Sequence, residues 1–222
     1  MNTSALWQAF QQTIMPHCAF CGLSRIAGYP LCTQCHEALP WLQPEQNLPL
    51  SGCPASLSAF VYQAPISNLL LGIKFGKNLR ELATLGELTA TGILPQLEKV
   101  PDAILPVPLH NARLHKRGFN QALELARPLA KQLGIPLLTR TITRNKATLP
   151  QTELNAKQRQ HNLQQAFQLN IPTPYRHIAI FDDVITTGAT ARELAALLLA
   201  NGVEHVEIWS CARTIFTPQT HD

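Results

Sequence analysis

The stretch "IAIFDDVITTGAT", residues 178–190, decides how this chain folds. It opens on four apolar residues, Ile178 to Phe181, the unbroken run of a strand covered on both faces. It then places Asp182 and Asp183 side by side. It closes on Thr186, Thr187, Gly188, Ala189 and Thr190, ahead of a Leu- and Ala-rich run of helical length. In open α/β sheets such a strand–loop–helix junction binds ligands outside the carboxyl end of the strand. A helix that starts there offers unpaired N–H groups and about half a positive charge, and both favour phosphate. Gly188 lets the backbone come close, and the three threonine hydroxyls add donors. The paired carboxylates would repel that phosphate. They suit sugar hydroxyls, gripped directly or through Mg²⁺ and its waters. One junction can thus hold the 5′-phosphate and the 2′,3′-diol of a ribose. A plainer reading covers part of it. Thr190-Ala191-Arg192-Glu193 has the Ser/Thr-x-x-Glu form of a capping box, which leaves Asp182, Asp183 and Gly188 without a reason.

Outward from this junction the pattern alternates. Strands are expected at 57–62, 102–109, 136–143, 177–183 and 203–212. Helices are expected at 64–75, 78–94, 119–134 (interrupted by Pro128, ended by Gly134), 156–167 and 190–202. Alternation on this scale implies β-α-β units and an α/β fold with a parallel sheet. Residues 1–55 differ: a short helix over 4–15 with Leu6, Phe10 and Ile14 on one face, then five of the six cysteines and little periodicity. The expected division is a small module at 1–55 and the α/β domain at 56–222. The small module cannot build a core by itself.

The 222 residues are 45% hydrophobic and 14% charged, which is globular composition. A net charge of +4 fits an anionic ligand without pointing to nucleic acid. The N-terminus lacks the basic start and apolar run of a signal peptide, and no membrane span is expected, so the expected compartment is the cytoplasm.

A second loop, "PVPLHNARLHKRGFNQA" (106–122), gathers Arg113, Lys116 and Arg117 with Gly118, Asn120 and Gln121. Such a cluster can pair with the charges of a pyrophosphate. Lys74 and Lys77 in "GIKFGKNLR" could reach the same place. The glycine spacing there is not that of an ATP-binding P-loop.

The apolar run, two acids and Thr-Thr-Gly-x-Thr closely resemble the phosphoribosyl-pyrophosphate signature of type I phosphoribosyltransferases. With "PVPL…RGFNQA" and "ATLPQTELNAKQRQHNLQQAF" the layout resembles the ComF family, competence protein F and its DNA-utilisation relatives. The resemblance implies a phosphoribosyltransferase-like domain, with Asp182 and Asp183 at the ribose hydroxyls and residues 186–190 around the 5′-phosphate. Positions matching the family pattern include Lys74, Arg113, Arg117, Gly118, Asn120, Gln121, Arg144, Thr148, Gln151, Arg159, Asn162 and Phe167. The polar ones are expected to line the pocket, and Phe167 to sit in the core.

Cys18-x2-Cys21-x10-Cys32-x2-Cys35 supplies four thiolates on two knuckles, the arrangement of a tetrahedral, structural Zn²⁺. His17 and His36 flank the ligands. Cys211 is expected to be buried in a strand, and Cys53 stands alone. Three functions share the Asp182–Thr190 loop: phosphoribosyl transfer with loss of pyrophosphate, handling of incoming single-stranded DNA for import or recombination proteins, and sensing of phosphoribosyl pyrophosphate without turnover. The DNA role follows from the resemblance. The aromatic residues expected to be exposed for stacking are Phe119, Trp41 and Tyr29.

Overall fold

The computed structural model describes residues 17–24, 29–47, 55–75, 79–145 and 166–215. The expected helices at 4–15 and over most of 156–167, with Lys77, Cys53, Thr148, Gln151, Arg159 and Asn162, lie outside these residues. The chain divides into two compact units, Met1–Pro40 and Trp41–Asp222. This division comes earlier than the 55/56 boundary read from composition. Trp41 bridges Phe60, the Leu42 N–H donates to the Ala59 carbonyl at 2.9 Å, and the Asn47 side chain accepts from the Ser58 N–H. The segment after Pro40 is therefore stitched to the first strand of the second unit.

In the first unit, a turn over Cys18–Gly22 precedes a short helix, α1 (Thr33–Glu37), whose start is capped by the Cys32 sulfur. The second unit contains, in order, β1 (Ala55–Val61), α2 (Ile66–Phe75), α3 (Leu79–Ile93), β2 (Ala103–Pro106), α4 (Asn111–Arg117), α5 (Gln121–Leu133), β3 (Ile142–Arg144), β4 (Phe167–Leu169), β5 (His177–Ile185), α6 (Ala189–Ala200) and β6 (His205–Arg213). Its main sheet runs β1-β6-β5-β2, and every pairing is parallel. The expected α/β architecture is the one found.

β5 holds a central place. Ile178, Ile180, Leu105, Val206 and Ile208 pack with Ala191, Leu194 and Leu198 of α6. Because side chains alternate across a strand, Ala179, Phe181 and Trp209 face the opposite side, where α3 and α5 pack on each other and on the sheet. All three are fully buried. Buried polar groups between strands are satisfied: the Ser58 and Ser210 hydroxyls lie 2.7 Å apart, as burial requires.

Three local expectations change. Pro128 does not interrupt α5; the helix is continuous through it. Its ring fits against Gly86 of α3, where an added Cβ would come within 3.0 Å of the proline Cγ. Residues 136–143 do not form a strand of the main sheet. Leu137 makes only an isolated bridge to Ile104, and the chain then pairs antiparallel as β3 with β4. Phe167, expected at the end of a helix, is in β4 and buried. Its alternation with Leu169 gave too short a signal to be read as a strand.

Candidate functional site

The carboxyl ends of β5 and β2 open into a cleft of about 440 Å³. It is lined by Asp182, Asp183, Thr186, Thr187, Gly188, Ala189 and Thr190 from the central junction. Across from them are Arg113, Arg117, Asn120 and Gln121 from the second loop. The two motifs, some seventy residues apart in sequence, are brought together because β2 and β5 are hydrogen-bonded neighbours ending at one level, with Pro106 opposite Phe181.

The strand β5 runs farther than the sequence suggested, to Ile185, so both aspartates ride on ordered strand rather than in a loop. The Asp182 carboxylate accepts the Asp183 N–H at 2.8 Å, and the Asp183 carboxylate accepts the Val184 N–H at 2.9 Å. The loop proper is only Thr186–Gly188. Gly188 has φ +70° at the helix start, left-handed backbone that a side chain resists. The Arg192 guanidinium donates to the Thr187 carbonyl at 2.7 Å and fixes the loop from behind. Thr190 lies inside α6 and is not its cap, and Glu193 accepts the Ala166 N–H instead. The capping-box reading is therefore replaced by a glycine-capped turn.

The second loop contains helix α4, which the sequence reading treated as loop. His110 caps its start, and Gly118, at φ +83°, ends it. Asn120 then caps α5 by accepting the Ala122 N–H, and its amide donates to the Val107 carbonyl at 3.0 Å. Gln121 is buried and donates to the Leu70 carbonyl; Arg117 reaches its amide oxygen at 3.5 Å. Asn120 and Gln121 thus hold the loop in place, while Arg113 and Arg117 carry its charge. Lys116 is exposed and does not line the cleft, and Gly118 lines a neighbouring cavity with Phe119. Lys74 lies in α2, and its side chain is outside the described residues.

Arg144, at the end of β3, also lines the cleft, with its guanidinium 5.4 Å from the centre of the Phe167 ring. Burial, then the nearby Arg113 charge, holds it below the usual arginine range, while Asp182 and Glu193 pull the other way. A guanidinium stays protonated regardless. Its charge is thus held where desolvation and a like charge disfavour it, so an entering anion stabilises it. Three arginines against two aspartates leave the lining residues net positive. Tyr62, just past β1, is a lining residue that the sequence reading missed. Its place at the carboxyl end of a strand was the available signal. Trp41 instead packs tilted on Phe60, and Tyr29 meets His36 edge-on.

In the first unit, the Cys18, Cys21, Cys32 and Cys35 sulfurs all lie within 4.8 Å of one another. Tetrahedral Zn–S bonds of about 2.3 Å would put sulfurs roughly 3.8 Å apart; Cys21 and Cys32 are at 3.6 Å. Burial pushes the Cys18 thiol up, but backbone N–H groups of Cys21, Cys32 and Phe20 outweigh it and bring the thiol down to about 6. Cys35 is raised, by burial first and then by the surrounding sulfurs. Thiols crowded this way resist ionising together without a cation among them, so the cluster can hold a metal ion. His17 and His36 are not among its ligands. Cys211 is fully buried, and burial raises its thiol to about 12, as expected of a core side chain.

Salmonella typhimurium DNA utilization protein YhgH is 37% identical to this chain over 209 residues, covering 89% of this chain and 90% of that one. Haemophilus influenzae competence protein F is 35% identical over 199 residues, covering 85% and 87%. The chain belongs to the competence protein F family. No protein-family model matches it. A purine phosphoribosyltransferase from Pyrococcus horikoshii is 18% identical and covers 74% of this chain and 82% of that one, but with a TM-score of 0.29 it is too distant to bear on the site. No described helix of this family member is long and apolar enough to cross a membrane.

Asn120→Ala should remove a helix cap and the tie to Val107 together. It is expected to lower stability by about 1–2 kcal/mol, read as a shift in the urea midpoint at unchanged slope. An unshifted midpoint would show that the loop is held by other contacts.

Proposed function

We propose that the cleft binds phosphoribosyl pyrophosphate or a closely related sugar phosphate, and that this binding serves DNA uptake or use in the cytoplasm. The observation that carries the reading is the meeting of the Asp182–Thr190 junction with Arg113, Arg117 and Arg144 in one cleft. The start of α6 receives the 5′-phosphate, with Gly188 allowing close approach. Asp182 and Asp183, held in place by the N–H groups that follow them, accept from the ribose hydroxyls. The three arginines take the pyrophosphate, stabilising charge that grows on it as it departs. Mg²⁺, when bound, would neutralise phosphate oxygens; the hard oxygen donors of the two aspartates suit it. A second reading, transfer of the phosphoribosyl group to an acceptor in nucleotide metabolism, uses the same side chains.

The DNA role is supported by family membership: the relatives are named for DNA utilization and competence. Arg113, His115 and Lys116 on the exposed α4 give a single strand its phosphate contacts. Import or recombination proteins are the expected protein partners. The four-cysteine cluster holds a structural Zn²⁺: all four positions are filled by sulfur, so no position is open for catalysis.

Calorimetric titration of the whole protein with phosphoribosyl pyrophosphate and Mg²⁺ should give binding. Asp182→Asn/Asp183→Asn should weaken it at least about tenfold, roughly 1.4 kcal/mol. Wild type that gives no heat would remove the ligand assignment.

Affinity for a single-stranded oligonucleotide should fall as salt rises. Lys116→Glu should reduce the log–log slope by about 0.7. A flat response would argue against a phosphate-driven DNA role.

Metal analysis should find zinc in the purified protein, and Cys32→Ser should reduce both metal content and melting temperature. Equal melting with and without a chelator would show that the cluster needs no metal.

A further inference from the structure

Displacement at a sugar's anomeric carbon places the incoming group on the face opposite the departing one when it proceeds in a single step. This geometry, applied to the proposed function on which the inference rests, divides the cleft. The pyrophosphate wall is built from Arg113 and Arg117, beyond β2, and from Arg144 on β3. The sheet order β1-β6-β5-β2 sets β1 at the other end, with the phosphate junction of β5 between. The acceptor must therefore approach from the β1 side.

Tyr62 is the residue that stands there. It follows β1 directly, its N–H donates to the Arg213 carbonyl at 2.7 Å, and it is half-buried. Among the described residues it is the one aromatic side chain in the lining of the cleft. A phenol ring at a wet cleft wall offers a flat apolar face and a polar tip. That chemistry fits a planar heteroaromatic ring, which stacks on it; a small alkyl amine would gain little from it.

We propose that Tyr62 forms the acceptor-side wall of the cleft and that the acceptor is a nucleobase-like heteroaromatic ring. In the transfer, the lone pair of a ring nitrogen forms the new C–N bond at the anomeric carbon. The C–O bond to pyrophosphate breaks, and its electron pair leaves with pyrophosphate. The proton carried by that ring nitrogen passes to water. Tyr62 acts as a specificity-determining residue, since it touches the acceptor ring and takes no proton.

The test uses ribose 5-phosphate and the four common nucleoside 5′-monophosphates, titrated into the full chain by calorimetry. Wild type should bind at least one monophosphate on the order of tenfold more tightly than ribose 5-phosphate. Tyr62→Leu should lose that advantage while its ribose 5-phosphate affinity stays the same; Tyr62→Phe, which keeps the ring, should retain it. A Tyr62→Leu protein that keeps the full preference, or wild type that binds every monophosphate no better than ribose 5-phosphate, would overturn the inference and leave the phosphate junction standing. Wild type that binds neither class would overturn both readings together. Equal ribose 5-phosphate binding by the two variants also serves as the check that they are folded.

Discussion

The site depends on β5 being paired on both sides. Hydrogen bonds to β2 on one flank and β6 on the other carry the strand to Ile185, so Asp182 and Asp183 sit on a rigid ladder at the mouth of the cleft. Carboxylates on a flexible loop would lose conformational entropy when they closed on a sugar. Here that ordering is complete before a ligand arrives, and the following N–H groups steady both side chains. The apolar run from Ile178 to Phe181 is what allows the double pairing, because only residues without polar side chains tolerate cover on both faces.

Electrostatics gives the cleft its direction. The acids lie at its centre, the glycine-capped start of α6 on one side, and three arginines beyond. Arg144 shows why such a site wants an anion. Its guanidinium is partly buried, lies near Arg113, and rests over Phe167. The Phe167 ring gives it a weak cation–π partner, while the larger stabilisation would come from a phosphate. Phe167 is thus both a core residue and the support of a cleft residue.

The sequence made the strand–junction–helix legible because its signals are local: a buried apolar run, a turn glycine, then helical periodicity. The two CxxC pairs were legible for the same reason, and their sulfurs do converge. Other features depended on distant partners. Pro128 reads as a break, but an α-helix packed against a glycine-bearing neighbour accommodates its ring. Residues 136–144 read as one strand of the main sheet. A single bridge to Ile104 is all the main sheet offers them, and the rest turns away to pair with β4. Thr190 reads as a cap until Gly188 is seen to take that place.

From its residues alone, then, the chain determined that it would be an α/β protein with a sulfur-ligand cluster ahead of it and an anion-and-sugar motif at a strand end. Folding in three dimensions decided which groups share that end. The convergence of Arg144 and Tyr62 on the junction follows from strand order, and strand order depends on pairings between segments far apart in the chain, which leave no short-range periodic trace.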